Sequence, residues 1–259
     1  MKFGGSIALV TGAGSGIGRA AAIKLAEGGA TVLLVGRTVS KLEAAASEIS
    51  KISGAQKPEI SSADVTKEED VEKLAEYVKT RFGDLHILVN NAGGSSQTSI
   101  LNTPVIEWDY VQSANLKSVF LVSRILGKVM IKGVKTENEH KANRAIVNIA
   151  SLSGHQAGAH IPHYSAAKAG VINFTRALAL ELSPYSIRVN SVSPGFIETP
   201  LTEEGLENEQ FVKAIEKNTA LRRIGKPEEI ANIISFLASS EASYMTGSDV
   251  LADGGWLIK

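Results

Sequence analysis

Short, nearly continuous runs of apolar and β-branched residues recur along this chain, at residues 7–10, 31–35, 87–89, 145–149, 188–192 and 249–252. Runs of that length suit strands buried on both faces, which is the condition of a parallel sheet. Between them lie alanine-rich or amphipathic stretches at residues 18–27, 40–52, 67–82, 106–130, 165–182 and 228–238. Parallel strands need crossover connections, usually helical, so the alternation predicts an α/β fold: a doubly wound, mostly parallel sheet with helices on both faces.

With 259 residues, 44% of them hydrophobic, the chain is long enough for one large core. Lys plus Arg and Asp plus Glu both number 27, so no net field favours nucleic acid or an anionic membrane as partner, and a small molecule is expected instead. The absence of cysteine excludes disulfides and thiolate metal sites. No apolar stretch near twenty residues and no cleavable leader is visible, which reads as cytoplasmic. Two stretches break the rhythm, residues 132–143 and 198–218. The first, charged and Asn-rich, is expected to be an exposed excursion.

The first strand runs into Thr11-Gly12-Ala13-Gly14-Ser15-Gly16-Ile17-Gly18 and then into a helix-like segment. Glycines let a backbone turn tightly and approach a pyrophosphate, while the free N–H groups of a helix start favour an anion. A tight strand-to-helix connection without a ligand is the competing reading, and other residues must decide. They lie downstream: Asn90-Asn91-Ala92-Gly93 after the strand at 87–89, Asn115, Ser151 after the strand at 145–149, Tyr164 and Lys168 opening a helix, and Pro194-Gly195 after the strand at 188–192.

Together with the TGxxxGxG spacing of Gly12, Gly16 and Gly18, these motifs resemble the classical branch of the short-chain dehydrogenase/reductase family, over nearly the whole chain. The resemblance implies a single Rossmann-type domain, its cofactor part mainly residues 1–115 and its catalytic and substrate part mainly 116–259. It implies an oxidoreductase moving a hydride between a nicotinamide dinucleotide and a carbonyl or alcohol carbon. It also implies a catalytic set of Asn115, Ser151, Tyr164 and Lys168, with Ser151 bonding the substrate oxygen, Lys168 holding the nicotinamide ribose and Asn115 placing a relay water. Cofactor contacts are implied for Gly12, Ser15, Gly16, Ile17, Gly18, Arg37, Asp64, Val65, Asn91, Ala92, Gly93, Pro194, Gly195, Ile197 and Thr199. A homotetramer packed through the helices at 106–130 and 165–182 is implied as well.

Elementary chemistry gives part of this set a reason. Reducing a carbonyl needs an acid within hydrogen-bond reach of its oxygen. A free phenol, with a pKa of about 10, exchanges its proton poorly near neutrality, and a neighbouring ammonium lowers it. Tyr164 and Lys168, four residues apart on a helix, share one face, so Lys168 is expected to lower the Tyr164 pKa. Taken singly, Tyr164 reads as a half-buried helix residue, Lys168 as solvated, Ser151 as a turn cap and Asn115 as a mid-helix polar group. Only the joint set favours catalysis.

The second strand ends Val35-Gly36-Arg37. An acid at the end of that strand favours NAD by bonding the ribose hydroxyl; with Gly36 in its place and Arg37 able to fork onto a phosphate, NADP is favoured, with NAD the alternative. Ser15 stands where NADP-dependent relatives often carry a second basic residue. Asp64 fits either an adenine contact or a helix cap. Substrate contacts are expected from residues 94–98, from 153–163, whose Ser153, His155, Gln156, His160 and His163 read as a solvated polar lining, and from the stretch after Gly195. The acidic run Glu203, Glu204, Glu207 and Glu209 reads as a solvated face rather than a metal site. The carrier-protein reductases of the family dock through basic residues at positions that here are Ala142 and Tyr185, which counts against that role, although Lys141 and Arg144 lie close by. The leading expectation is an NADPH-dependent carbonyl reductase, with a 3-oxoacyl reductase included. The alternatives are an NAD-dependent alcohol, polyol or steroid dehydrogenase and a dinucleotide-sensing regulator without chemistry.

Overall fold

The computed structural model describes residues 1–136 and 142–259. Seven strands form one sheet: β1 (Ile7–Thr11), β2 (Thr31–Gly36), β3 (Glu59–Ser62), β4 (Ile87–Asn90), β5 (Arg144–Ile149), β6 (Ile187–Pro194) and β7 (Asp249–Ala252). Their order is β3-β2-β1-β4-β5-β6-β7 and every pairing is parallel. The order reverses between β1 and β4, which pair as Ala8 with Ile87, Leu9 with Leu88 and Val10 with Val89. Ligands of open α/β sheets bind outside the carboxyl ends of the strands at such a reversal.

Successive side chains of a strand face opposite sides, and here both sides are covered. Ala8, Val10, Val32 and Leu34 join one buried cluster with α1 (Gly16–Glu27), α2 (Val39–Ile49) and α9 (Pro227–Ala238). Leu9, Leu33, Val35 and Leu88 join the other, with α3 (Glu68–Phe82), α5 (Ser118–Thr136) and α6 (Pro162–Leu182). That two-sided burial is why the strands read as unbroken apolar runs.

Three expectations change. The segment at 106–130 is α4 (Val105–Gln112) and α5 joined by a π-turn, Ser113–Lys117, and α5 continues to Thr136. Residues 132–136 of the supposed excursion are therefore helical, and 137–141 lie outside the described residues. The stretch 198–218 contains two short helices, α7 (Glu203–Leu206) and α8 (Glu209–Asn218). Among the described residues no helix is long and apolar enough to cross a membrane.

Candidate active site

The carboxyl ends of β1 and β4 are tied together by side chains. Thr11 Oγ1 accepts from the N–H groups of Asn91 at 2.9 Å and Ala92 at 3.0 Å, and the Asn91 amide donates to the Thr11 and Gly12 carbonyls. Gly12 and Gly16 have φ of +65° and +51°, a region L side chains rarely adopt. A Cβ on Gly18 would lie 2.3 Å from the Gly12 carbonyl oxygen, so α1 can start this close to the strand only as glycine. The helix starts uncapped: Ser15 makes no side-chain cap bond, and no acidic residue occupies the first turn. Ile17 lies in that turn, partly buried. The start of α1 thus offers N–H groups and a positive dipole on a tightly turned backbone, the chemistry of a pyrophosphate cradle.

Around this turn, Thr199 packs against Gly16, where a Cβ would meet its methyl at 3.2 Å. A Cβ on Gly195, after Pro194, would lie 2.7 Å from Asp253 Cα, so glycine again serves a close approach. Ile197 is buried and bridges to Gly225. Arg37 is exposed beyond β2, near enough to Asp64 to help lower its pKa, although the larger lowering comes from Thr66 against the opposing effect of burial. Asp64 Oδ1 accepts from Thr66 Oγ1 at 2.7 Å and Thr66 N at 3.1 Å, a local cap-like turn, while Val65 is buried. Sequence reasoning missed Lys41: a Cβ on Gly14 would meet its Cβ at 2.8 Å, so this basic residue lies against the glycine turn that has Ser15 in place of a base. Its signal was a position four residues after Arg37.

The four residues expected to carry the reaction converge although they come from distant elements. Tyr164, in the first turn of α6, hydrogen-bonds the Ser151 hydroxyl. Ser151 Oγ also accepts from Ser153 N–H at 3.1 Å and caps the short turn Leu152–Gly154, so the turn-cap reading of Ser151 holds as well. Lys168 is buried, donates to the Ile149 carbonyl at 2.8 Å, and lies 5.5 Å from the centre of the Tyr164 ring. Asn115 is buried in the π-turn. Its amide donates to the Gly94 and Val111 carbonyls at 2.6 and 2.9 Å, and its oxygen accepts from Gly94 N–H at 3.3 Å. A Cβ on Gly93 would fall 2.6 Å from Asn115 Oδ1 and 3.6 Å from Lys168 Nζ, so only glycine lets the chain pass this close to Asn115.

The electrostatics correct one expectation. Burial pushes the Tyr164 phenol above its ordinary value, only partly offset by the Ser151 hydrogen bond. Burial also pulls Lys168 down to about 8. The chain alone therefore keeps the phenol protonated rather than poised as phenolate, because desolvation opposes charge on both groups.

One histidine differs from a solvated lining: His163 is fully buried, while His155 and His160 are exposed. His155 Nε2 lies 2.7 Å from Asp249 Oδ2, a carboxylate that also accepts from Ser191 and Ser193. Trp256 Nε1 donates to Gln156 Oε1 at 3.1 Å and its ring packs on Phe196, which meets Phe211 of α8 edge-on. The chain after β7 thus touches the 153–163 loop at Gln156 and the stretch after β6 at Phe196. At and beside the docking positions of the carrier-protein reductases, Arg144 is buried against Asp84 and the Leu85 carbonyl, Tyr185 lies under Lys135, and Lys141 is outside the described residues. Glu203, Glu204, Glu207 and Glu209 are exposed, and among the described residues no group of three or more His, Cys, Asp or Glu could hold a metal ion.

Comparison with known proteins agrees with this geometry. Residues 12–257 match the family described as enoyl-(acyl carrier protein) reductase. A 3-oxoacyl-(acyl-carrier-protein) reductase of Thermotoga maritima is 39% identical over 263 residues, covering 100% of both chains. The crystal structure of a short-chain type dehydrogenase/reductase from Mycobacterium marinum, 35% identical, superposes with a TM-score of 0.91 over 100% of this chain and 98% of that one. A candidate NAD(P)-dependent gluconate 5-dehydrogenase from Beutenbergia cavernae, solved with bound NADP, is 33% identical with a TM-score of 0.91, over 100% and 99% of the two chains.

Proposed function

The chain belongs to the classical short-chain dehydrogenase/reductase family and is an oxidoreductase; from that premise we propose that it is an NADPH-dependent reductase of 3-oxoacyl thioesters or closely similar ketones. The observation that carries the reading is the Tyr164 phenol hydrogen-bonded to Ser151, its ring centre 5.5 Å from the buried Lys168 ammonium. A neutral phenol is an acid ready to give a proton to a carbonyl oxygen; alcohol oxidation would need its phenolate.

The residues present fit a dinucleotide. The uncapped start of α1, the tight turn that Gly12, Gly16 and Gly18 permit, and Gly93 beside Lys168 would hold it, with Ser15, Ile17, Asn91, Ala92, Pro194, Gly195, Ile197 and Thr199 around its length and Asp64 and Val65 at the adenine. When bound, NADPH supplies the hydride. Arg37 pairs with its 2′-phosphate, and Lys41 serves as the second base that Ser15 does not provide. Ser151 holds the substrate oxygen and Ser153 borders it. As the phenol proton leaves Tyr164, the ammonium of Lys168 stabilises the phenolate, and Asn115 holds the Gly93-Gly94 backbone and a relay water. The resemblance adds the cytoplasm as the place of work and a homotetramer as the assembly; Ile106 at 80% and Leu180 at 77% exposure leave apolar surface on α4 and α6 for partner copies to cover.

The test is turnover of acetoacetyl thioester with NADPH beside crotonyl thioester. Consumption of the first and not the second is expected. The reverse pattern would move the reaction from C=O to the C=C bond named in the family description, and rapid use of NADH in place of NADPH would remove the role given to Arg37.

A further inference from the structure

The helix that carries Tyr164 and Lys168 starts without a conventional cap. Its N-cap is Ile161, which has no acceptor in its side chain, and no acidic residue lies in its first turn. Helices usually satisfy their leading N–H groups with Ser, Thr, Asp or Asn at that position. Here the Tyr164 N–H donates to Nδ1 of His163, at 3.0 Å.

Accepting at Nδ1 leaves the imidazole proton on Nε2. Nε2 lies 3.2 Å from Ser96 Oγ, and Ser96 in turn donates to the Glu107 carboxylate, itself 3.6 Å from Nε2. The donors thus run one way, from the Tyr164 backbone through a buried imidazole and a hydroxyl to an anion. Each link polarises the next, and the negative end faces the start of α6, where the helix dipole favours it. Two further bonds fix the same corner: Gln112 Nε2 donates to the His163 carbonyl at 2.8 Å, and Thr98 N–H to the His160 carbonyl at 2.8 Å.

We infer that His163, neutral and protonated at Nε2, is a positioning residue for Tyr164. It caps the catalytic helix from within and couples it, through Ser96 and Glu107, to the loop after β4 and to α4. The two substrate loops and the proton donor then move as one body. The inference rests on Tyr164 being the proton donor.

The test uses the full chain with NADPH and the thioester it reduces. His163→Ala is expected to lower kcat by about tenfold to a hundredfold, the cost of a small misplacement, while NADPH affinity stays within about twofold. His163→Asn keeps an acceptor beside the Tyr164 N–H and is expected to restore a large part of kcat. Ser96→Ala and Glu107→Gln should each lower kcat by a smaller factor without weakening NADPH. A His163→Ala enzyme with unchanged kcat, or an asparagine variant no better than alanine, would overturn the inference. If the alanine variant does not fold, unchanged kcat in both Ser96→Ala and Glu107→Gln overturns it instead. Tyr164→Phe separates the two layers. Turnover retained there defeats the reading of the site and this inference with it, whereas turnover lost there but intact in His163→Ala defeats the inference alone.

Discussion

The two sides of the site are built from different materials. On the cofactor side, at the ends of β1 and β4, the work falls to backbone: N–H groups at an uncapped helix start, glycines where a Cβ would collide, and Thr11 bonding two amides. On the proposed reaction side, around β5 and α6, it falls to buried side chains, Asn115, His163 and Lys168. A backbone cradle costs little stability, because its donors are the free ends every helix has. A buried lysine costs a great deal, because its charge has lost water. The molecule binds with what the fold supplies at no extra expense, and reacts with what the fold must hold against its own preference.

Substitutions can break or sharpen that contrast. The largest effect is expected at Tyr164→Phe, which removes the proton and leaves the cradle whole. Turnover should fall about a thousandfold or more with NADPH affinity unchanged in a fluorescence titration. Parallel loss of affinity would mean that the two sides are not separable.

Lys168→Met should abolish turnover yet stabilise the cofactor-free chain. The folded pKa of about 8 lies below the ordinary 10.5, so between those values the folded state holds fewer protons than the unfolded one. The destabilisation is therefore complete below about pH 8 and is relieved as pH rises toward 10.5. Denaturant unfolding at neutral pH should show the methionine variant more stable by about 2–3 kcal/mol, with the gain vanishing at alkaline pH. A less stable variant at neutral pH would show that the Ile149 hydrogen bond outweighs the desolvation.

Gly18→Ala should do the opposite, sparing the reactive groups and spoiling the cradle. Overpacking against the Gly12 carbonyl, at about 1–3 kcal/mol, should weaken NADPH binding roughly tenfold to a hundredfold. Arg37→Asp should act most narrowly, cutting NADPH affinity by about tenfold while raising that for NADH. An unchanged preference between the two would shift the phosphate contact to Lys41.

The same contrast explains what could be read from the chain. Buried strands and glycine turns leave local signatures, and six of the seven strands lie where the apolar runs fall; β3, the polar edge strand Glu59–Ser62, left no such run. Gly12, Gly16 and Gly18 were legible for the same reason: a steric need is met at one position. Burial of His163 was not, because its partners Ser96, Glu107 and Gln112 lie 51 to 67 residues away. The raised pKa of Tyr164 was hidden too, since spacing shows that Lys168 is near but not that both are dry. Residues 198–218 read as an insertion because α7 has only four residues and α8 buries only Ile215.

The π-turn at Ser113–Lys117 has a consequence for how this chain can evolve. Such a turn holds one residue more than the helix on either side, and one residue is about 100° of rotation. Deleting it would turn the 19 residues of α5 by about that angle, carrying Leu121, Val122 and Leu126 out of the core. The residue count of this segment is locked: α4 and α5 keep separate angular frames, and Asn115 sits at the splice.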